Sequence, residues 1–195
     1  MTKIAGLILA GGAGRRMGGA DKALLTVGGR ALVEICRDRL APQVAALAAS
    51  ANGDRDRFRP FDLQVLPDDA GDQGPLAGIV AGLAWAEGIG AAALATVAVD
   101  TPFFPADLVQ RLAYAGGMTG VTMAESDGRL HPTCALWHRP AWPQVLAAYN
   151  SGTRSLQLVA RLVGLTRAEF ADAGAFFNIN SPADLATAQV RAGQS

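Results

Sequence analysis

Apolar runs alternate with helix-patterned stretches along this chain, and each is followed by Gly, Pro or Asp. Residues 4–10 form an unbroken apolar run and predict a buried first strand. Residues 31–40 predict a helix, stopped by Pro42. Residues 44–51 are apolar and ambiguous by period: their alanines favour helix, but their place between other elements favours strand. Residues 63–66 predict a short strand. Pro75 opens a helix reaching about Glu87, since proline suits the first helical position. Residues 91–99 are continuously apolar and end at Asp100, the pattern of a fully buried parallel strand. Residues 105–115 predict the next helix, with Pro105 at its start.

The later chain is less regular. Residues 120–124 and 133–137 predict strands, joined through Ser126-Asp127-Gly128. Residues 140–149 and 155–163 predict helices, and 182–191 a closing helix with Ser181 as its N-cap. Strand–helix alternation implies an α/β sheet with helices on both faces. Ligands of such sheets bind beyond the carboxyl ends of the strands. Attention therefore falls on the residues just after Ala10 and Val99.

Composition narrows the function classes. The 195 residues suffice for one domain, expected over 1–195, and with 50% hydrophobic and 17% charged residues the chain is globular, not disordered. Lys+Arg and Asp+Glu are 17 each, with no charge block, which argues against a nucleic-acid partner. Cys36 and Cys134 form no CxxC pair and read as small core residues. His131 and His138 are too few for a histidine metal site unaided. The short apolar run after Lys3 meets glycines at once and lacks a cleavage-type site, and no run reaches the roughly 18 residues of a membrane helix. The expectation is a cytoplasmic protein with small-molecule partners and no membrane association.

Chemistry concentrates where the first strand ends. Gly11-Gly12-Ala13-Gly14-Arg15-Arg16-Met17-Gly18-Gly19-Ala20-Asp21-Lys22 lets backbone N–H groups approach an anion, and Arg15, Arg16 and Lys22 add three cations. The set suits a triphosphate. It is not a Walker loop, because Lys22 follows Asp21 and precedes Ala23. Nor is it the dinucleotide fingerprint, because Met17 stands where a third Gly is needed. Asp100-Thr101-Pro102 closes the most apolar strand. An ionised Asp in dry surroundings needs compensation, and Mg²⁺, which favours one or two carboxylates plus phosphate oxygens, would supply it; taken alone, Asp100 suits a cap for the helix after Pro105 equally well, and the glycine loop tips the reading to the metal. Gly74-Pro75-Leu76-Ala77-Gly78 opens a helix whose N-terminus can lie close to a ligand. Asp68 and Asp69 follow a short strand and can accept hydrogen bonds from a base or ribose.

Taken in order, Leu9-Ala10-Gly11-Gly12, Arg15-Arg16-Met17-Gly18-Gly19, Asp21-Lys22-Ala23-Leu24-Leu25, Gly74-Pro75-Leu76-Ala77-Gly78, Asp100-Thr101-Pro102, His131-Pro132 and Phe177-Asn178-Ile179-Asn180-Ser181-Pro182 resemble the molybdenum cofactor guanylyltransferases. The resemblance spans nearly the whole chain. The glycine loop alone indicates only the wider nucleotidyltransferase superfamily; the Asn-Ile-Asn-x-Pro element and the paired Arg with Gly-Gly make the match specific.

The resemblance implies a Rossmann-like, three-layer nucleotidyltransferase fold with a mostly parallel central sheet. It implies GMP transfer from GTP to molybdenum–molybdopterin, with release of pyrophosphate. GTP contacts then fall on Leu9, Ala10, Gly11, Gly12, Lys22, Ser50, Asp68 and Asp100, with Mg²⁺ on Asp100. Arg16, Lys22 and Asp100 are the expected catalytic residues. Gly19, Gly74 and Gly78 also fall on functional positions, and Arg154, Asn178 and Asn180 fall on the pterin side. Proteins that deliver the pterin are expected as transient partners. Ser50 stands where the family usually has a nucleotide-binding Asn, and Asn52 lies two residues on; which of them makes that contact is open at this level. Ser181 replaces a usual Thr and keeps the hydroxyl.

The rival within the same class is a cytidylyltransferase acting on molybdopterin or a polyol phosphate, separable by nucleotide preference. A sugar-1-phosphate nucleotidyltransferase would leave Asn178-Ile179-Asn180 unexplained. A non-catalytic nucleotide-binding regulator would bind GTP without releasing pyrophosphate.

Overall fold

The computed structural model describes residues 3–11, 13–14, 20–67 and 74–193. In chain order the elements are β1 (Ile4–Leu9), β2 (Ala13–Gly14), β3 (Ala20–Asp21), a 3-10 turn (Lys22–Leu24), β4 (Thr26–Val27), β5 (Arg30–Ala31), α1 (Leu32–Leu40), β6 (Ala46–Ser50), a 3-10 segment (Asp56–Phe61), β7 (Gln64–Leu66) and α2 (Pro75–Gly88). They continue as β8 (Ala93–Ala98), α3 (Leu108–Ala115), β9 (Val121–Ser126), β10 (Arg129–His138), α4 (Trp142–Asn150), α5 (Leu156–Val163), β11 (Leu165–Glu169), a 3-10 turn (Ala173–Phe176) and α6 (Pro182–Ala192).

Seven strands form one sheet in the order β11-β9-β10-β8-β1-β6-β7. Within this sheet β10 alone runs antiparallel to its neighbours β8 and β9, and the other pairings are parallel; β2–β3 and β4–β5 are separate antiparallel pairs. The ambiguous 44–51 run is therefore strand. Its alanines pair with β1 on one side and β7 on the other, and hydrogen bonding to both neighbours outweighs helix propensity. β11 escaped the sequence reading: Leu165–Glu169 is a five-residue edge strand with mixed polarity and no buried run. The helix expected from Pro105 begins at Leu108, after a turn in which Pro105 O accepts from Leu108 N.

Alternation along the strands separates two cores. Ile8 and Val97 face one side, with Leu32, Cys36 and Leu40 of α1, Leu108 and Leu112 of α3, and Ala188 of α6. Leu7, Leu9 and Leu94 face the other, with Leu76, Ile79 and Leu83 of α2, Val145 of α4 and Val159 of α5. The sheet thus lies between two helical layers, as expected. No helix among the described residues is long and apolar enough to cross a membrane.

Ser181 caps α6 through a reciprocal box: its Oγ accepts from Asp184 N at 3.2 Å, and Asp184 Oδ2 accepts from Ser181 N at 2.8 Å. Asn180 N also donates to Asp184, at 3.0 Å. That N–H, then the Ser181 hydroxyl, hold the Asp184 carboxyl below its usual range.

Two glycines one turn apart set how closely α2 approaches the sheet. A Cβ at Gly82 would lie 2.5 Å from Leu7 Cδ2, and one at Gly78 would lie 2.4 Å from Ser50 Oγ. Gly82→Val should therefore overpack this seam and cost about 1–3 kcal/mol. Thermal unfolding should register a drop of roughly 2–4 °C per kcal/mol for a chain of this size. An unchanged Tm would show that α2 moves outward freely.

Candidate active site

The strand order brings three carboxyl ends together. β1 lies between β8 and β6, so the chain leaves β1 with one neighbour on each side, the switch point at which open α/β sheets hold ligands. Leu9 and Ala10 are buried there as part of the floor: Leu9 O accepts from Val99 N at 3.1 Å, and Ala10 N donates to Ser50 O at 2.8 Å. Gly11 is exposed at the mouth. Beyond it the backbone doubles back, Ala13 opposite Asp21 and Gly14 opposite Ala20. Gly12, Arg15, Arg16 and Gly19 of the glycine loop, and Asp68 and Asp69, lie outside the described residues.

Asp21 caps the turn that carries Lys22, its Oδ1 accepting from Ala23 N at 3.0 Å. From this turn Lys22 Nζ donates to Asp100 Oδ2 at 3.1 Å and to Asn180 Oδ1 at 2.6 Å. The Lys22 and Asp100 side chains are only 15% and 22% exposed, so each charge is compensated by the other where water is scarce. Lys22 also orients Asn180, because an ammonium has donors only and must meet the amide oxygen.

The segment bearing Asn178 and Asn180 is held from below. Ile179 is fully buried, and its N–H donates to Asp100 O at 2.8 Å. With Ile179 in the core, its two neighbours are turned toward the site. Asn178 Oδ1 accepts from Thr101 Oγ1 at 2.6 Å, and Thr101 Oγ1 also lies 3.4 Å from Asp100 Oδ1. Lys22, Asp100, Thr101, Asn178 and Asn180 therefore form one network. Lys22, expected at the phosphates, is in direct contact with Asn180, expected at the pterin. Thr101 is the member of the network with no role expected from sequence, and its place beside Asp100 is the signal for it.

Ser50 ends β6 fully buried beneath α2, and Gly78 is the residue whose missing side chain makes room for it. Gly74 is the extended N-cap of α2. Arg154 is on the α4–α5 connection, where Nη1 donates to Tyr149 O at 2.8 Å and Thr153 O at 3.0 Å and the guanidinium lies over the Tyr149 ring.

His131 is held by two neighbours. Its Nε2 lies 2.7 Å from Ser126 Oγ, and its ring stacks on Phe176 at 4.3 Å, steadying the turn that leads to Asn178. Burial first, then the Arg129 charge, lowers its pKa. Cys36 and Cys134 are buried core residues. Burial pushes the Cys134 thiol up to about 12 and raises Cys36 as well, so neither is a nucleophile near neutrality.

Among the described residues, no group of three or more His, Cys, Asp and Glu is placed to hold a metal. Asp100 offers a single, partly shielded carboxylate. That fits Mg²⁺, which takes few protein ligands and completes its shell with phosphate oxygens and water.

This architecture is that of the nucleotidyltransferases. A solved nucleotidyl transferase from Methanothermobacter thermautotroptrophicus matches it with a TM-score of 0.79 at 17% identity, covering 100% of this chain and 99% of that one. Molybdopterin-guanine dinucleotide biosynthesis protein A from Archaeoglobus fulgidus matches with a TM-score of 0.79 at 20% identity, covering 98% and 100%. At these identities the likeness is one of fold. In sequence, residues 6–165 match the MobA-like NTP transferase domain. A molybdenum cofactor guanylyltransferase from Cereibacter sphaeroides is 51% identical over 187 residues, 96% of each chain. The chain belongs to the MobA-like NTP transferase family and is a nucleotidyltransferase.

Two measurements check this geometry. Lys22→Ala and Asn180→Ala, made singly and together, should be non-additive in unfolding free energy by roughly 0.5–3 kcal/mol, as expected for residues in contact. Additive effects would mean that the contact between them carries no energy. Both thiols should be silent to DTNB in the folded protein and titrate in denaturant; rapid labelling of the native chain would contradict their burial.

Proposed function

We propose that this enzyme transfers GMP from GTP to the phosphate of molybdenum–molybdopterin, forming the guanine dinucleotide cofactor and releasing pyrophosphate. The carrying observation is the Lys22 ammonium bonded to both Asp100 and Asn180, one group joining the phosphate-binding loop to the Asn178–Asn180 element. The name of the 51% identical relative supports the same substrates.

In this reading a phosphate oxygen of the pterin attacks the α-phosphorus of GTP in line. A P–O bond forms, the bond to the β-phosphate oxygen breaks, and pyrophosphate leaves with that electron pair. The nucleophile is already an anion, so no general base is required. Transfer of this kind depends on positioning and charge compensation. Lys22 and Arg16 neutralise the triphosphate and departing pyrophosphate. Leu9, Ala10, Gly11, Gly12 and Asp68 are assigned to the nucleotide, whereas Ser50, sealed beneath α2, supports the end of β6 from within. Asp100 would hold Mg²⁺, which supplies positive charge to the phosphate oxygens. Asn178 and Asn180 present amide groups to the pterin or its phosphate, with Arg154 on the same substrate's side. The whole of 1–195 acts as one nucleotidyltransferase domain in the cytoplasm, meeting its pterin through transient contact with delivery proteins, without nucleic acid or membrane.

The direct test is pyrophosphate release with each NTP and Mg²⁺, with and without molybdenum–molybdopterin. GTP should give the highest turnover, and only with the pterin. CTP at the top would move the protein to the cytidylyl branch, and GTP binding without pyrophosphate release would make it a regulator. Asp100→Asn should fold yet lose about 10²-fold or more in activity, since an amide oxygen is the weaker metal ligand. Near-normal turnover by that variant would remove Asp100 from the metal site.

A further inference from the structure

Beside the Lys22 network, one guanidinium touches two segments that the sheet brings to the same edge. Arg57 lies in the 3-10 segment of the β6–β7 connection. Its Nη2 donates to Asn52 O at 2.7 Å, and its Nη1 donates to Asp54 O. Its Nε lies 2.5 Å from Asp21 Oδ2, a close ion contact whose N–H is not aligned for a hydrogen bond. The other oxygen of that carboxylate caps the Lys22 turn through Ala23 N. Arg57 and Asp21 are 20% and 26% exposed, so this ion contact is partly shielded from water. A planar fork with donors in fixed directions suits two backbone carbonyls while its charge faces Asp21.

The segment so tied carries the side chain left open by the sequence. Of the two polar residues at the carboxyl end of β6, Ser50 is 1% exposed, and its Oγ sits 2.4 Å from where a Gly78 Cβ would stand. Asn52 is exposed, two residues beyond it. Its amide offers an acceptor and two donors, the complement of a base edge or of ribose hydroxyls.

We propose that Arg57 is a positioning residue that fixes the Asn52 segment against the Lys22 turn, so that Asn52 contacts the nucleoside while Lys22 meets the phosphates. This rests on the nucleotidyltransfer reading. It predicts damage confined to the nucleotide side of the reaction, which a merely structural arginine would not produce.

The test begins with calorimetric affinities of the wild-type chain for GTP, CTP, UTP and ATP with Mg²⁺, and continues with whichever nucleotide binds best. A preference for another base overturns the guanylyl reading alone and leaves this inference to be judged with that nucleotide. Arg57→Ala and Asn52→Ala should each weaken nucleotide binding about tenfold, the scale of one lost hydrogen bond to a polar ligand. The KM for molybdenum–molybdopterin at saturating nucleotide should stay within about twofold. Arg57→Lys, which keeps a charge for Asp21, should recover part of the loss. If Arg57→Ala does not fold, Asp21→Asn and the exposed Asn52→Ala decide the matter by the same two readouts. Wild-type nucleotide affinity in Asn52→Ala or in folded Arg57→Ala overturns the inference, and so does an equal loss for both substrates.

Discussion

A single ammonium group, Lys22 Nζ, finds its two acceptors 78 and 158 positions further along the chain. Around it three otherwise separate pieces become one site: the turn after the glycine loop, the end of β8, and the extended segment before α6. Each piece is costly alone. A carboxylate at the end of a buried strand needs a positive partner, a lysine shielded to 15% exposure needs acceptors, and an ordered asparagine side chain needs a donor. Together they satisfy one another, and the Ile179 N–H to Asp100 O bond locks the arrangement to the backbone of the sheet.

That network exists because the sheet can be assembled closely enough to bring its strand ends level. Alanines in β6 and β8 keep the flanks of β1 small, and Gly78 and Gly82 let α2 settle onto Ser50 and Leu7. The opposite layer does complementary work. Its α6 is started firmly by the Ser181–Asp184 box, and His131 stacked on Phe176 steadies the turn before it. The Asn178–Asn180 segment is thus pinned at both ends, and its side chains are pre-oriented. For a transfer that depends on placement and charge, such rigidity is what the protein contributes.

Much of this was legible in the residues themselves. Apolar runs such as 4–10 and 91–99, bounded by glycine or aspartate, read as buried strands, and Pro75 and Ser181 mark helix starts by their local chemistry. Lys22 and Asp100 stood out because each follows the end of an apolar strand, and the structure brings the two into contact. β11 was not legible, since a half-exposed edge strand needs no apolar run. Arg57 carried no motif at all. Its importance is that of a donor fork whose partners, Asn52, Asp54 and Asp21, are backbone and side-chain groups brought near it only by folding.

By itself, then, the order of residues determined the alternation of elements, the run of glycines and cations that follows the first strand and the family to which the chain belongs. These are properties of local pattern, written within a few residues of one another. Tertiary structure alone decided that Lys22 would bridge Asp100 and Asn180, that Ser50 would be sealed under Gly78 while Asn52 stayed exposed, and that Asp21 would meet Arg57. Such pairings depend on which strand lies beside which and on how deeply a helix seats, and both are set by packing the whole core at once.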